Sequence, residues 1–124
     1  AIVTHDVVVV LAPLFLFAHF LLDFPLQGDF LSKAKNPLAP IPGVSWRWAL
    51  AAHSTLQGGG VAICVFIATQ DLYLSLVLGL AETFLHGLID LGKCLKMMDF
   101  GTDQLAHLSC KLAWVTLTVV FNGG

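Results

Sequence analysis

Four of the five histidines fall one to each of four apolar segments, and three of them stand four residues from an aspartate: His19 with Asp23, His86 with Asp90, and Asp103 with His107. Residues four apart share a helix face, so each pair would present an imidazole and a carboxylate to the same neighbour. His53 occupies the remaining segment without such a partner, and Glu82, four residues before His86, extends that stripe. Imidazole and carboxylate together suit a divalent ion such as Zn, Mn or Fe. Four histidines and three aspartates exceed what one tetrahedral ion needs. They would suit two ions about 3.5–4 Å apart, a common arrangement for hydrolysing phosphate esters. They would equally suit one ion whose histidines are oriented by carboxylates behind them. Lys93 or Arg47 would be placed to hold a phosphate, and Gln27 and Gln104 to orient or cap.

The same residues admit other readings. Pairs of His and Asp hydrogen-bond across membrane helices at about 1 kcal/mol each and would fix packing alone. A chain of titratable groups also suits a proton or ion path, and two facing histidines suit a haem. His5 reads as an ordinary surface residue. No G-x-S-x-G is present, so Ser54 and Thr55 beside His53 carry no nucleophile signature. Cys64, Cys94 and Cys110 are odd in number and form no C-x-x-C pair, so they read as small apolar fillers, with a reactive or ligating thiol as the alternative.

Composition decides the solvent. The chain has 124 residues, of which 57% are hydrophobic and 11% charged, with a mean hydropathy of +0.85. Soluble domains carry roughly 25% charged residues, and a chain this short could not bury so much apolar surface. The expectation is an integral membrane protein, all-α, a four-transmembrane-helix bundle. The net charge of −2 leaves no basic stripe for nucleic acid.

The positioning elements follow in order. Residues 1–6 are a short polar lead without Lys or Arg, unlike a signal peptide. Residues 7–24 form the first span, roughly long enough for a ~30 Å core; a strand there would leave its backbone unpaired in lipid. Pro13 is tolerated inside it, and Pro25 ends it. Residues 27–35 suggest a short interfacial helix with Phe30 and Leu31 inward and Lys33 and Lys35 in water. An extended loop follows to Trp46 and Trp48, which mark the membrane boundary. Spans at 47–69 and 72–92 are joined by the tight Gln70-Asp71 turn, and Gly58-Gly59-Gly60 permits close helix packing. The fourth span covers 103–121, with Gly101 as a breaker and Thr102 or Asp103 as its N-cap.

Lys33, Lys35, Arg47, Lys93 and Lys96 all flank the two longer loops, while the termini and the Gln70-Asp71 turn carry no Lys or Arg. The positive-inside rule would put both loops in the cytoplasm and both termini outside. His19, Asp23, His53, His86, Asp90, Asp103 and His107 would then fall within roughly 10 Å of one another in depth, at 1.5 Å per residue. Glu82 and Lys111 lie deeper and at similar depth on neighbouring spans, so an ion pair is expected between them.

The stretch His19-Phe20-Leu21-Leu22-Asp23-Phe24-Pro25-Leu26-Gln27 resembles the H-x-x-x-D-F-x-x-Q opening of a domain-of-unknown-function family of small bacterial and phage membrane proteins. His86-Gly87-Leu88-Ile89-Asp90-Leu91-Gly92-Lys93 resembles its H-x-x-I-D-x-x-K motif, and Asp103-Gln104-Leu105-Ala106-His107 its D-Q-x-x-H motif. The resemblance covers nearly the whole chain and implies four membrane helices in the bacterial inner membrane, without supplying an activity. A looser similarity runs to inner-membrane proteins described as metal-dependent hydrolases. The two function classes to separate are a metal-dependent hydrolase of a membrane-embedded lipid or phosphate ester and a non-catalytic subunit of an oligomer, a larger membrane complex or a phage-related assembly.

Overall fold

In the computed structural model, which describes residues 4–123 and the side chains of 6–122, helices follow the apolar segments. They are α1 (Thr4–Asp23), α2 (Gly28–Ala34), α3 (Trp46–Thr69), α4 (Leu72–Cys94) and α5 (Phe100–Gly123). All but α2 are long and apolar enough to cross a membrane. Pro13 sits inside α1 without ending it, because the missing N–H costs one bond of a ladder that is otherwise internal. Gln70 takes a left-handed conformation (φ 61°) and closes α3, while the Asp71 side chain accepts the Leu74 N–H at 3.0 Å and opens α4.

The four long helices pack in the cyclic order α1, α3, α4, α5, each against its two neighbours, and α2 lies on α3. The α3–α4 seam is the tightest. A Cβ at Gly58 would stand 2.5 Å from the Gly79 carbonyl oxygen, and one at Gly79 would stand 2.9 Å from the Ala62 Cβ. Small residues thus let the backbones meet. Gly59 faces open space and takes no part in the seam.

Each helix buries a stripe of residues spaced by four, and each stripe changes character halfway. In α1 it runs Val7, Leu11, Phe15, then His19 and Asp23; in α4, Leu74 and Leu78, then Glu82, His86 and Asp90. In α3 the polar residues His53 and Gln57 come first and Val61 and Val65 follow; in α5 the order is Asp103, His107, Lys111, then Val115. The bundle therefore has an apolar storey near the termini and the α3–α4 turn, and a polar storey near the two longer loops. Outside, Phe17, Ile63, Leu80, Phe84, Leu105 and Leu112 are exposed, as a lipid-facing surface requires.

Local expectations are corrected at two places in the chain. The fourth spanning helix starts at Phe100, not near 103, and its cap is Asp99, whose side chain accepts the Thr102 N–H at 2.7 Å. Gly101 is a first-turn helical residue rather than a breaker, since a glycine near a helix start costs little. Lys35 is not in water. It is buried against the bundle, and only Lys33 of the pair is exposed.

Candidate functional site

All seven of the His and Asp residues singled out by spacing are buried in the polar storey. At its centre Asp23 Oδ1, His53 Nε2 and His86 Nε2 form a triangle with edges of 3.2, 3.1 and 3.9 Å. Asp90 Oδ2 stands 3.5 Å from His53 Nε2, beside the triangle. Ligands on an ion at about 2.0–2.1 Å in tetrahedral arrangement would be roughly 3.3 Å apart; two of the three edges are close to that, and the group could hold an ion. A second group able to hold an ion comprises His86, Asp90 and His107, and it shares His86 with the first.

His86 is held from behind. Its Nδ1 lies 3.1 Å from Glu82 Oε2, which fixes Nδ1 as the protonated nitrogen and leaves the Nε2 lone pair facing Asp23 and His53. Glu82 is fixed in turn. Its Oε1 accepts the Trp114 Nε1–H at 2.8 Å, and its Oε2 lies 2.9 Å from Lys111 Nζ, an ion pair whose angle falls outside hydrogen-bond geometry. The expected Glu82–Lys111 contact is thus direct.

The rim is built from amides and lysines. Gln104 Oε1 accepts from His19 Nε2 at 3.1 Å, and its Nε2 donates to Asp23 Oδ2 at 2.9 Å and to Asp103 Oδ2 at 3.3 Å, so it ties α1 to α5. Gln27 Nε2 donates to the Asp23 carbonyl oxygen at 2.8 Å, and Gln27 Oε1 accepts from Lys35. Lys35 Nζ also donates to Asp90 Oδ2. Asp103 Oδ1 lies 3.2 Å from His107 Nε2, again outside hydrogen-bond geometry, and Lys93 Nζ is 3.9 Å from Asp103 Oδ2. The rings of His86 and His107 stack at 4.0 Å. Among the described residues, Nδ1 of His19, His53 and His107 has no hydrogen-bond partner.

Charge points the same way. Four carboxylates, of Asp23, Glu82, Asp90 and Asp103, are buried here against two buried ammonium groups, of Lys35 and Lys111. The half-exposed Lys93 offsets the difference only in part. Buried charge is paired or ligates a cation, so the cluster is suited to take up further positive charge as protonated imidazole or as a metal ion.

Lys35, Gln57 and Trp114 belong to the cluster and lay outside the sequence expectation. Gln57 Nε2 approaches Asp23 Oδ1 at 3.5 Å from α3. Its place four residues after His53 was the available signal. Trp114 carried none, and Lys35 sits in a segment whose composition reads as solvated. Arg47 does not reach the cluster. It is exposed, and its guanidinium lies 5.2 Å from the ring centroid of the adjacent Trp46. The side chain of His5 lies outside the described residues. All three cysteines are free thiols.

No curated protein and no solved structure matches this chain. A family model does, over residues 10–123, which contain every residue of the cluster. The chain therefore belongs to the DUF3307 family, described as proteins of unknown function.

Proposed function

We propose that this protein is a multi-pass membrane protein of the bacterial inner membrane that binds a divalent ion (Zn, Mn or Fe) in its polar storey and hydrolyses a membrane-embedded lipid or phosphate ester. The observation that carries the reading is the triangle of Asp23 Oδ1, His53 Nε2 and His86 Nε2, with Glu82 fixing the tautomer of His86. One ion is favoured over two. His86 is common to both candidate groups, and with Nδ1 turned to Glu82 it has a single lone pair to give. Asp90, Asp103, His19 and His107 then surround that ion. A bound divalent ion would polarise a phosphoryl oxygen and make water acidic enough to react near neutral pH. The chain's own contribution is to hold the donors rigidly, to exclude bulk water, and to offer Lys35 and Lys93 as cations at the rim. A groove of about 330 Å³ on the outer surface between α3 and α4, lined by Arg47, Leu50, Ser54, Phe84, Gly87 and Leu88, suits an alkyl chain. The basic loop flanks favour both loops in the cytoplasm and both termini outside.

The test is metal content of the detergent-purified protein, followed by release of inorganic phosphate from a short-chain lipid phosphate. The expected result is about one ion per chain, with binding and hydrolysis both lost in His53→Ala. Protein that folds with no ion after growth in metal-replete medium would favour a second reading. In that reading the chain is a non-catalytic subunit whose cluster fixes helix packing, and the contacts from His19 to Gln104 and from Lys35 to Asp90 already link the helices without an ion.

A further inference from the structure

Lys35 reaches the cluster from the C-terminal end of α2 rather than from a spanning helix. It is 3% exposed, and its Nζ donates to Asp90 Oδ2 and to Gln27 Oε1. The same Asp90 oxygen lies beside the donor triangle, 3.5 Å from His53 Nε2, without joining it. An ion with four protein ligands is closed and structural, whereas one with three keeps a position for water or substrate. Asp90 Oδ2 therefore decides which kind of site this is, and an ammonium group is bonded to it.

We infer that Lys35 is a positioning residue: it holds Asp90 away from the ion and keeps the fourth coordination position open to a small anionic ligand. The inference rests on the metal reading above. Two physical effects act in one direction. The ammonium occupies the lone pairs with which Asp90 Oδ2 would ligate, and its charge opposes a divalent ion nearby. Lys35 thus lowers metal affinity in order to leave the site reactive, and its removal should tighten binding while closing the site. A lysine with a merely structural role would do the opposite, since its loss would loosen the cluster and weaken binding.

Metal-free, detergent-purified protein titrated with Co2+ alone, and then with azide, separates these outcomes by visible absorption. Wild-type protein should bind Co2+ and its spectrum should shift on adding azide. Lys35→Met should bind Co2+ more tightly, by on the order of tenfold, the scale on which groups behind a ligand act, and its spectrum should no longer respond to azide. Weaker binding, unchanged binding, or tighter binding with the azide response retained would each overturn the role given to Lys35. Should Lys35→Met fail to fold, Lys35→Met with Asp90→Asn removes both charges of the pair. This double variant should bind Co2+ within a few-fold of wild type and keep the azide response; loss of Co2+ binding there would make Asp90 a resident ligand and overturn the inference. Wild-type protein that takes up no Co2+ would overturn the metal reading itself, an outcome distinct from the others.

Discussion

Glu82 shows how much one side chain can be asked to do in this bundle. It is 1% exposed, accepts from Trp114, faces Nδ1 of His86 and pairs with Lys111. Breaking such a pair from one side leaves a buried charge without compensation, at about 3–5 kcal/mol. Lys111→Met should therefore lower the thermal stability of the detergent-solubilised protein strongly, and adding Glu82→Gln should recover much of the loss. A double variant no more stable than Lys111→Met would show that the two charges are not coupled. Glu82→Gln alone should weaken divalent-metal binding by about 10–100-fold, because a neutral amide no longer stabilises the protonated Nδ1 that aims His86 inward. Calorimetric titration with Zn2+ measures this directly. The carboxylate at position 82 was legible as an extension of the His86–Asp90 stripe, and its pairing with Lys111 followed from depth. Trp114 was not legible, because an indole in a membrane helix has many uses and only the packed bundle turns it toward Glu82.

Helix contacts divide the three adjacent glycines into different roles. A Cβ at Gly58 meets the Gly79 carbonyl oxygen, which cannot move without its helix, whereas a Cβ at Gly59 meets nothing within 4 Å. Gly58→Ala should destabilise the protein by about 1–3 kcal/mol through overpacking. Gly59→Ala should be neutral or stabilising, since alanine is the better helix former by about 1 kcal/mol. Thermal unfolding of the two variants side by side checks the contrast. At the start of α5, the Thr102 N–H donated to the exposed Asp99 carboxylate holds that carboxyl below the usual carboxylate range. A depressed folded-state value means the cap stabilises α5 fully above the ordinary aspartate range and loses that contribution as pH falls through the folded value. Protection from amide exchange in the first turn of α5, taken relative to the intrinsic rate at each pH, should therefore fall on acidification below about pH 4, and Asp99→Ala should lower it above that pH and remove the pH dependence.

For the whole molecule the decisive feature is the division into two storeys. Polar groups are buried and apolar ones exposed at the same depth, which is stable only where lipid surrounds the bundle. If the basic loop flanks set orientation, reporter tags at Ala1 and Gly124 should both read as extracytoplasmic in whole cells. A cytoplasmic signal from either would move the polar storey to the opposite face of the membrane without changing the helices.

The solvent, the number of spanning helices and the depth at which the histidines and aspartates meet were all legible before any packing was known. Hydropathy over a helix length and a spacing of four are properties of the chain alone. The start of α5 was misplaced because Asp99 and Asp103 are both acceptable caps, and only the first turn's own hydrogen bond chooses between them. Which donors face one another was a matter of tertiary structure. The approach of α3 to α4 at Gly58 and Gly79 sets His53 Nε2 3.1 Å from His86 Nε2, and the fold-back of α2 carries Lys35 from a segment that reads as solvated into contact with Asp90. Local spacing fixes the face of a helix. It carries no information about a partner 55 residues away, which only the packing of one element on another supplies.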